Sequence, residues 1–129
     1  MPASDLPDEG DTVAYRRTFT NEEVERFAEL SKDEGYHHLV ADEDGQVVLH
    51  GLLTATMPTK LGGEFNYLAR TMTFDFPRPA YTGIEITCET TIERIEERND
   101  RLELDATFIC EAENGDVVLR GQTEGVVLP

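Results

Sequence analysis

The chain has 129 residues, enough for one domain that buries roughly two thirds of its unfolded surface. Its 27 acidic and 11 basic residues leave a formal charge of −16, which excludes nucleic acid as a partner because the phosphates are repelled. No apolar run approaches the roughly 20 residues of a membrane span, and no basic-then-apolar signal pattern opens the chain, so no membrane association and a cytoplasmic location are expected. Carboxylates at this density repel one another, and salt screens that repulsion over about 10 Å at 0.1 M but about 3 Å at 1 M. The composition therefore predicts a halophilic protein from a very salty cytoplasm, with an ordinary acidic cytosolic protein as the alternative.

Residues 1–11 (MPASDLPDEGD) are acidic and almost without large apolar groups, and read as a loose arm. Residues 12–129 read as a single domain. A short edge strand is expected over residues 12–18. A helix follows, opened by Thr20 and Glu23 as a capping box and by Phe19 and Val24 as a hydrophobic staple. Its apolar face is Val24, Phe27, Ala28 and Leu30, and Gly35 is the expected stop. That boundary places Asp33 in the last turn, where the negative end of the helix dipole would raise its pKa. An acidic loop with an Asp44-Gly45 turn then leads through Val47, Val48 and Leu49 to His50-Gly51.

Residues 51–63 (GLLTATMPTKLGG) read as a central helix stopping at Gly62-Gly63, apolar on most sides and free of Asp and Glu. A helix of that kind has to be wrapped by other structure. Pro58 lies inside it and predicts distortion over residues 54–58.

Four strands are expected to do the wrapping. The first, within residues 64–79, turns its even positions Leu68, Met72, Phe74 and Phe76 inward. The next two alternate cleanly, with Ile84, Ile86, Cys88, Thr90 and Ile92 inward on one and Leu102, Leu104, Ala106, Phe108 and Cys110 inward on the other. Asn114-Gly115 marks a hairpin, and pairing across it turns Val117, Leu119, Gly121, Thr123, Gly125 and Val127 inward. The two inward glycines leave room for a close approach, for which the central helix is the expected partner. A turn through residues 98–100 would set Cys88 and Cys110 directly opposite each other. They are expected as free thiols, since a reducing cytoplasm opposes disulfides.

A carboxylate and an imidazole five residues apart, Asp33 and His38, precede a helix that opens at Gly51. Together they make a plausible acid/base site with an anion-stabilising end. A long apolar helix cradled by a curved antiparallel sheet is the α+β hotdog architecture. FTNEEVERFAELSKDEGYHH followed by LHGLLTATMPTKLGG resembles the MaoC-like hotdog family, which includes the (R)-specific enoyl-CoA hydratases. Asp33 and His38 keep the family's Asp-to-His spacing, His50-Gly51 matches its His-Gly at the start of the hotdog helix, and FPRPAYTG (residues 76–83) is similar to its strand connection. Two departures stand out. Gly35-Tyr36 replaces the family's Asn-Pro, and the segment between His38 and His50 is shorter than in typical hydratases.

The resemblance implies a hydro-lyase adding or removing water at C2–C3 of an enoyl thioester, carried on coenzyme A or an acyl-carrier protein. Asp33 and His38 would hold one water, Asp33 as base. The Gly51 N–H would bond the thioester oxygen, with His50 fixing the helix start and Thr59, nine residues after His50, supplying a hydroxyl. No cofactor and no metal are expected, His37 reads as a loop or packing residue, and a lone hotdog domain is expected to form a homodimer or higher homo-oligomer. The alternatives are a hotdog thioesterase, against which the acid-free central helix counts, and a non-catalytic acyl-binding module.

Overall fold

A computed structural model of the chain describes residues 6–129. A single antiparallel sheet, in the order β1-β3-β4-β5-β2, is built from Thr12–Arg17 (β1), Tyr67–Asp75 (β2), Ile86–Arg98 (β3), Arg101–Ala112 (β4) and Val117–Val127 (β5). Four helical segments accompany it: Asn21–Ser31 (α1), Tyr36–Leu39 (α2), Gly51–Thr54 (α3) and Thr56–Glu64 (α4). The core lies between α3–α4 and the concave face of the sheet, where Leu53, Ala55 and Met57 join Ile86, Cys88, Phe108, Cys110 and Leu119. Of the arm read as loose, residues 1–5 lie outside the described residues. Its other end is held to β3: Gly10 N–H donates to the Ile92 carbonyl (2.7 Å), and Ile92 N–H returns a bond to Asp11 (2.9 Å).

Helix α1 starts as its sequence predicts. Thr20 Oγ1 accepts the Glu23 N–H at 3.2 Å, Glu23 Oε1 accepts the Thr20 N–H at 3.0 Å, and the staple residues Phe19 and Val24 are fully buried. The bond from the Thr20 backbone holds the Glu23 carboxyl below its usual range, and Arg17 adds to the effect. Its end is different. Lys32, at φ 67°, caps the helix with its N–H on the Ala28 carbonyl (2.9 Å), and Ser31 Oγ accepts the Asp33 N–H (3.1 Å). The stop thus falls three residues before Gly35. Asp33 stands beyond the last turn, away from the position in which the helix dipole was expected to act on it. Leu30, expected on the apolar face, is 82% exposed.

The central helix is broken where Pro58 requires it. Proline has no N–H to offer the Thr54 carbonyl and its ring crowds that oxygen, and the helix divides at Ala55 into α3 and α4. It is also less enclosed than its composition suggests. Leu52 is 62% exposed, Thr59 and Lys60 face solvent, and α4 runs past the glycines to Glu64, which pairs with Lys60. The helix therefore does carry one acid, on its exposed side and outside the cavity described below.

In the sheet, alternation holds wherever pairing is regular and fails at the bulges. The β2–β5 register shifts between Ala69 and Thr71. An extra residue reverses which side chains face inward, so Tyr67 packs inward before the bulge while Leu68, expected inside, is 57% exposed. A second shift, between Cys110 and Glu111 on β4, leaves Val118 opposite no partner. Val118 is buried in place of Val117. The inward glycines admit a strand rather than the helix: a Cβ on Gly121 would lie 1.9 Å from the Thr73 carbonyl oxygen, and one on Gly125 2.2 Å from that of Leu68. The strand is β2, the hydrogen-bonded neighbour of β5, whose backbone closes in at these two points.

The β3–β4 hairpin turns through Asn99 and Asp100 (φ 53° and 65°), one residue tighter than expected, and Cys88 pairs directly with Cys110. Both are buried free thiols. The Cys110 thiol bonds to Cys88 and holds it below the usual cysteine range; the same contact, with burial, pushes Cys110 up.

Candidate active site

The segment after α1 folds back on itself through short-range bonds. Asp33 Oδ1 accepts the Gly35 N–H (3.4 Å), and the Gly35 carbonyl accepts the His38 N–H (3.0 Å) as α2 begins. An Asp-centred turn thus forms where the sequence has Gly35-Tyr36. It brings His38 back beside Asp33, with His38 Nε2 3.8 Å from Asp33 Oδ2. His38 is 6% exposed, whereas Asp33 is open to solvent.

The imidazole of His38 is oriented from behind. Its Nδ1 lies 2.6 Å from the Val48 carbonyl, an acceptor only, so Nδ1 carries the hydrogen. In the neutral ring the Nε2 lone pair then faces Asp33. Val48 is itself held by its N–H on the His37 carbonyl (3.1 Å) and by its bridge to Tyr81. His50 stacks on His38 with ring centroids 3.8 Å apart and 14° between planes, and its Nε2 donates to the Asp33 backbone carbonyl at 2.8 Å. His50 therefore braces both members of the pair, a larger part than fixing the helix start. Its Nδ1 is buried without a partner among the described residues.

These residues line a cavity of about 530 Å³, together with Phe27, Leu49, Gly51, Leu52, Thr54, Phe76, Arg78, Ala80 and Val118. Gly51 sits at the first position of α3, where a backbone N–H has no acceptor within the helix. The Phe76 ring covers it so closely that a Cβ there would lie 2.9 Å from the ring.

Of the residues singled out in the sequence, Asp33, His38, His50 and Gly51 converge on this cavity. Thr59 does not. It is exposed on α4, its hydroxyl donates to the Thr56 carbonyl (2.9 Å), and the threonine of the central helix that reaches the cavity is Thr54. His37 is nearer than expected, with its ring 3.8 Å from that of His38, although it remains exposed. Val48, Phe76, Arg78 and Val118 escaped the sequence reading. Val48 acts through its backbone, Val118 through a bulge, and Arg78 was marked only by lying between two prolines within the FPRPAYTG connection.

Asp33, His38 and His50 offer ligand atoms within 4.8 Å of one another, so a metal has to be considered. An imidazole binds an ion in its own plane at about 2.0–2.1 Å. Two rings stacked nearly parallel at 3.8 Å cannot both do so for one ion, and one His50 nitrogen already serves the Asp33 carbonyl. The set suits proton handling rather than chelation.

No family model matches the chain, and no curated protein matches its sequence. Solved structures do match. The (R)-hydratase from A. caviae involved in PHA biosynthesis aligns with a TM-score of 0.81 and 23% identity, over 97% of this chain and 99% of that one. R-hydratase PhaJ1 from Pseudomonas aeruginosa gives 0.83 and 19%, over 99% and 85%. The MaoC-like dehydratase from Rhodospirillum rubrum gives 0.76 and 22%, over 97% and 94%. The chain has the hotdog fold of these proteins.

Proposed function

We propose that this protein is an acyl-thioester hydratase or dehydratase, a hydro-lyase acting at C2–C3 of an enoyl-CoA/(R)-3-hydroxyacyl-CoA type substrate. The observation that carries the reading is the 3.8 Å separation of Asp33 Oδ2 and His38 Nε2 on the wall of an apolar cavity. Both atoms are acceptors when the ring is neutral, and 3.8 Å is too long for a direct bond. A water seated between them would donate one hydrogen to each. Asp33 takes a proton from that water as its oxygen adds to C3, and the pair returns a proton to C2 on the same face. The electron pair that passes onto the thioester oxygen is met by the Gly51 N–H, which has no acceptor within α3. His50 holds the pair in register. Thr59 has no part in this scheme.

Hydration of crotonyl-CoA in molar KCl tests the reading. Loss of the enoyl-thioester absorbance without release of thiol is the expected result. Free thiol would indicate a thioesterase, and neither signal an acyl-binding module. The lack of any Asp or Glu on the cavity side of α3–α4 weighs against the thioesterase.

The unit that does this chemistry is the single domain of residues 12–129, acting as a homodimer in a salty cytoplasm. Support for pairing comes from apolar side chains around the cavity: Leu52 and Phe76 line it while 62% and 44% exposed, and α2 exposes Tyr36 and Leu39 beside it. A second copy would cover them. Light scattering in 2 M KCl is expected to give twice the chain mass, and a fully active monomer would overturn the assignment. The −16 charge supports salt adaptation. The melting temperature should climb steadily from millimolar to molar KCl as carboxylate repulsion is screened; a flat profile would remove that reading.

A further inference from the structure

We propose that Arg78 is the anion contact of this site, its guanidinium taking the phosphate at the far end of the substrate's pantetheine arm. The inference rests on the thioester reading above and specifies how the carrier is recognised. That phosphate is common to coenzyme A and to the prosthetic arm of an acyl-carrier protein.

The lining of the cavity is graded. His38, Leu49, His50, Thr54, Ala80 and Val118 are buried and form its floor, while Asp33, Leu52, Phe76 and Arg78 are exposed and form its mouth. At about 530 Å³ the cavity is in the range that holds a drug-sized ligand, far more than a short acyl group fills. An acyl chain placed on the apolar floor leaves its carrier arm to run out through the mouth, past Arg78.

Arg78 is the one Lys or Arg in this lining. Arg17, Arg26, Arg94, Arg98 and Arg120 each face a carboxylate, as does Lys60, but among the described residues none lies within ion-pair distance of Arg78. Arg16, Arg70, Arg101 and Lys32 also have no ion pair among the described residues, but of these unpaired cations only Arg78 lines the cavity. The field of the −16 charge repels a polyanionic substrate, and one local cation at the mouth opposes it where the substrate enters.

The backbone under Arg78 is stiff. Pro77 and Pro79 bracket it, and a residue before proline is held extended. The segment is tied down by the Leu49 N–H on the Ala80 carbonyl (2.8 Å) and by the Val48–Tyr81 bridge. Only side-chain freedom is lost on binding, and a planar guanidinium matches two phosphate oxygens at once.

The test compares affinities for butyryl-4′-phosphopantetheine and butyryl-pantetheine by calorimetry at fixed KCl; these saturated thioesters share acyl group and arm and differ only in the phosphate. The native protein is expected to prefer the phosphorylated thioester by about tenfold or more, the usual worth of a charge-assisted bond. In Arg78→Gln that preference should collapse toward unity, and in Arg78→Lys, which keeps the charge without the fork, it should be intermediate. The side chain is exposed, so circular dichroism of the variants should match that of the native protein. Butyryl-CoA and butyryl-carrier protein, which both carry that phosphate, form the second arm, and whichever loses more affinity in Arg78→Gln names the source. A native protein that binds the first two thioesters equally, or an Arg78→Gln variant weakened equally toward both, would overturn the proposal. Because binding is read without turnover, a failure to hydrate crotonyl-CoA would sink the reaction assignment alone.

Discussion

Asp33→Asn and His38→Ala are each expected to lower crotonyl-CoA hydration by about 10²- to 10⁴-fold, the usual contribution of a positioned acid or base. Asn keeps the shape of Asp33 and its bond to the Gly35 N–H (3.4 Å), so the turn survives while the base is lost. His38→Ala removes the second acceptor 3.8 Å away and leaves the Val48 carbonyl without its donor. Because the two groups act on one water, the double variant should lose far less than the product of the single losses. Full multiplicative loss would mean that they serve different steps. His37→Ala is the control, since its ring touches His38 at 3.8 Å yet stays exposed. If it abolishes hydration with the fold intact while His38→Ala does not, the site has been assigned one residue out of place.

Gly121→Ala is expected to destabilise the protein by about 3 kcal/mol, at the upper end of overpacking costs. The added methyl would lie 1.9 Å from the Thr73 carbonyl oxygen and 2.8 Å from the Phe108 ring. A flexible side chain could yield at that distance. A backbone carbonyl in the β2–β5 ladder yields only if Thr73↔Gln122 and Phe74↔Gly121 come apart. For a domain of this size the melting temperature should fall by roughly 10 °C. Gly63→Ala in α4 gives the opposite sign. Its Cβ would meet nothing within 4 Å, and replacing a helical glycine by alanine contributes about 0.5–1 kcal/mol of stability. Thermal melts at one KCl concentration check both, and equal melting temperatures for Gly121→Ala and the native protein would show that the Thr73 carbonyl does not approach Gly121 as described.

Those two predictions draw on different layers of information. The sequence by itself determined the features that depend on neighbours along the chain. Thr20 and Glu23 are three residues apart and satisfy each other's backbone N–H groups wherever the helix sits. Asn114-Gly115 turns because Gly115 accepts a positive φ of 92°. The alternation from Ile86 to Ile92 and from Ala106 to Cys110 buries one face because β3 and β4 pair in regular register over that stretch. Asp33 and His38 could be proposed as a pair for the same reason: they are joined by one short turn.

Tertiary structure decided everything that depends on partners far along the chain. The bulge between Ala69 and Thr71 arises from how β2 follows β5, and it turned Leu68 outward against its own periodicity. Gly121 and Gly125 read as space for a helix, yet the backbone of the neighbouring strand β2 fills it, because sheet curvature is a property of several strands at once. Thr59 lost its place at the site through the orientation of α4 beyond the Pro58 break, whereas Val118 gained one through an unpaired position on β5. Val48 orients His38 through a carbonyl, a group that every residue carries and no side-chain pattern can mark. Arg78 became a candidate only once the connection after β2 was seen to pass the mouth of the cavity. Local bonds are written in the order of residues; the cavity exists only where distant segments meet.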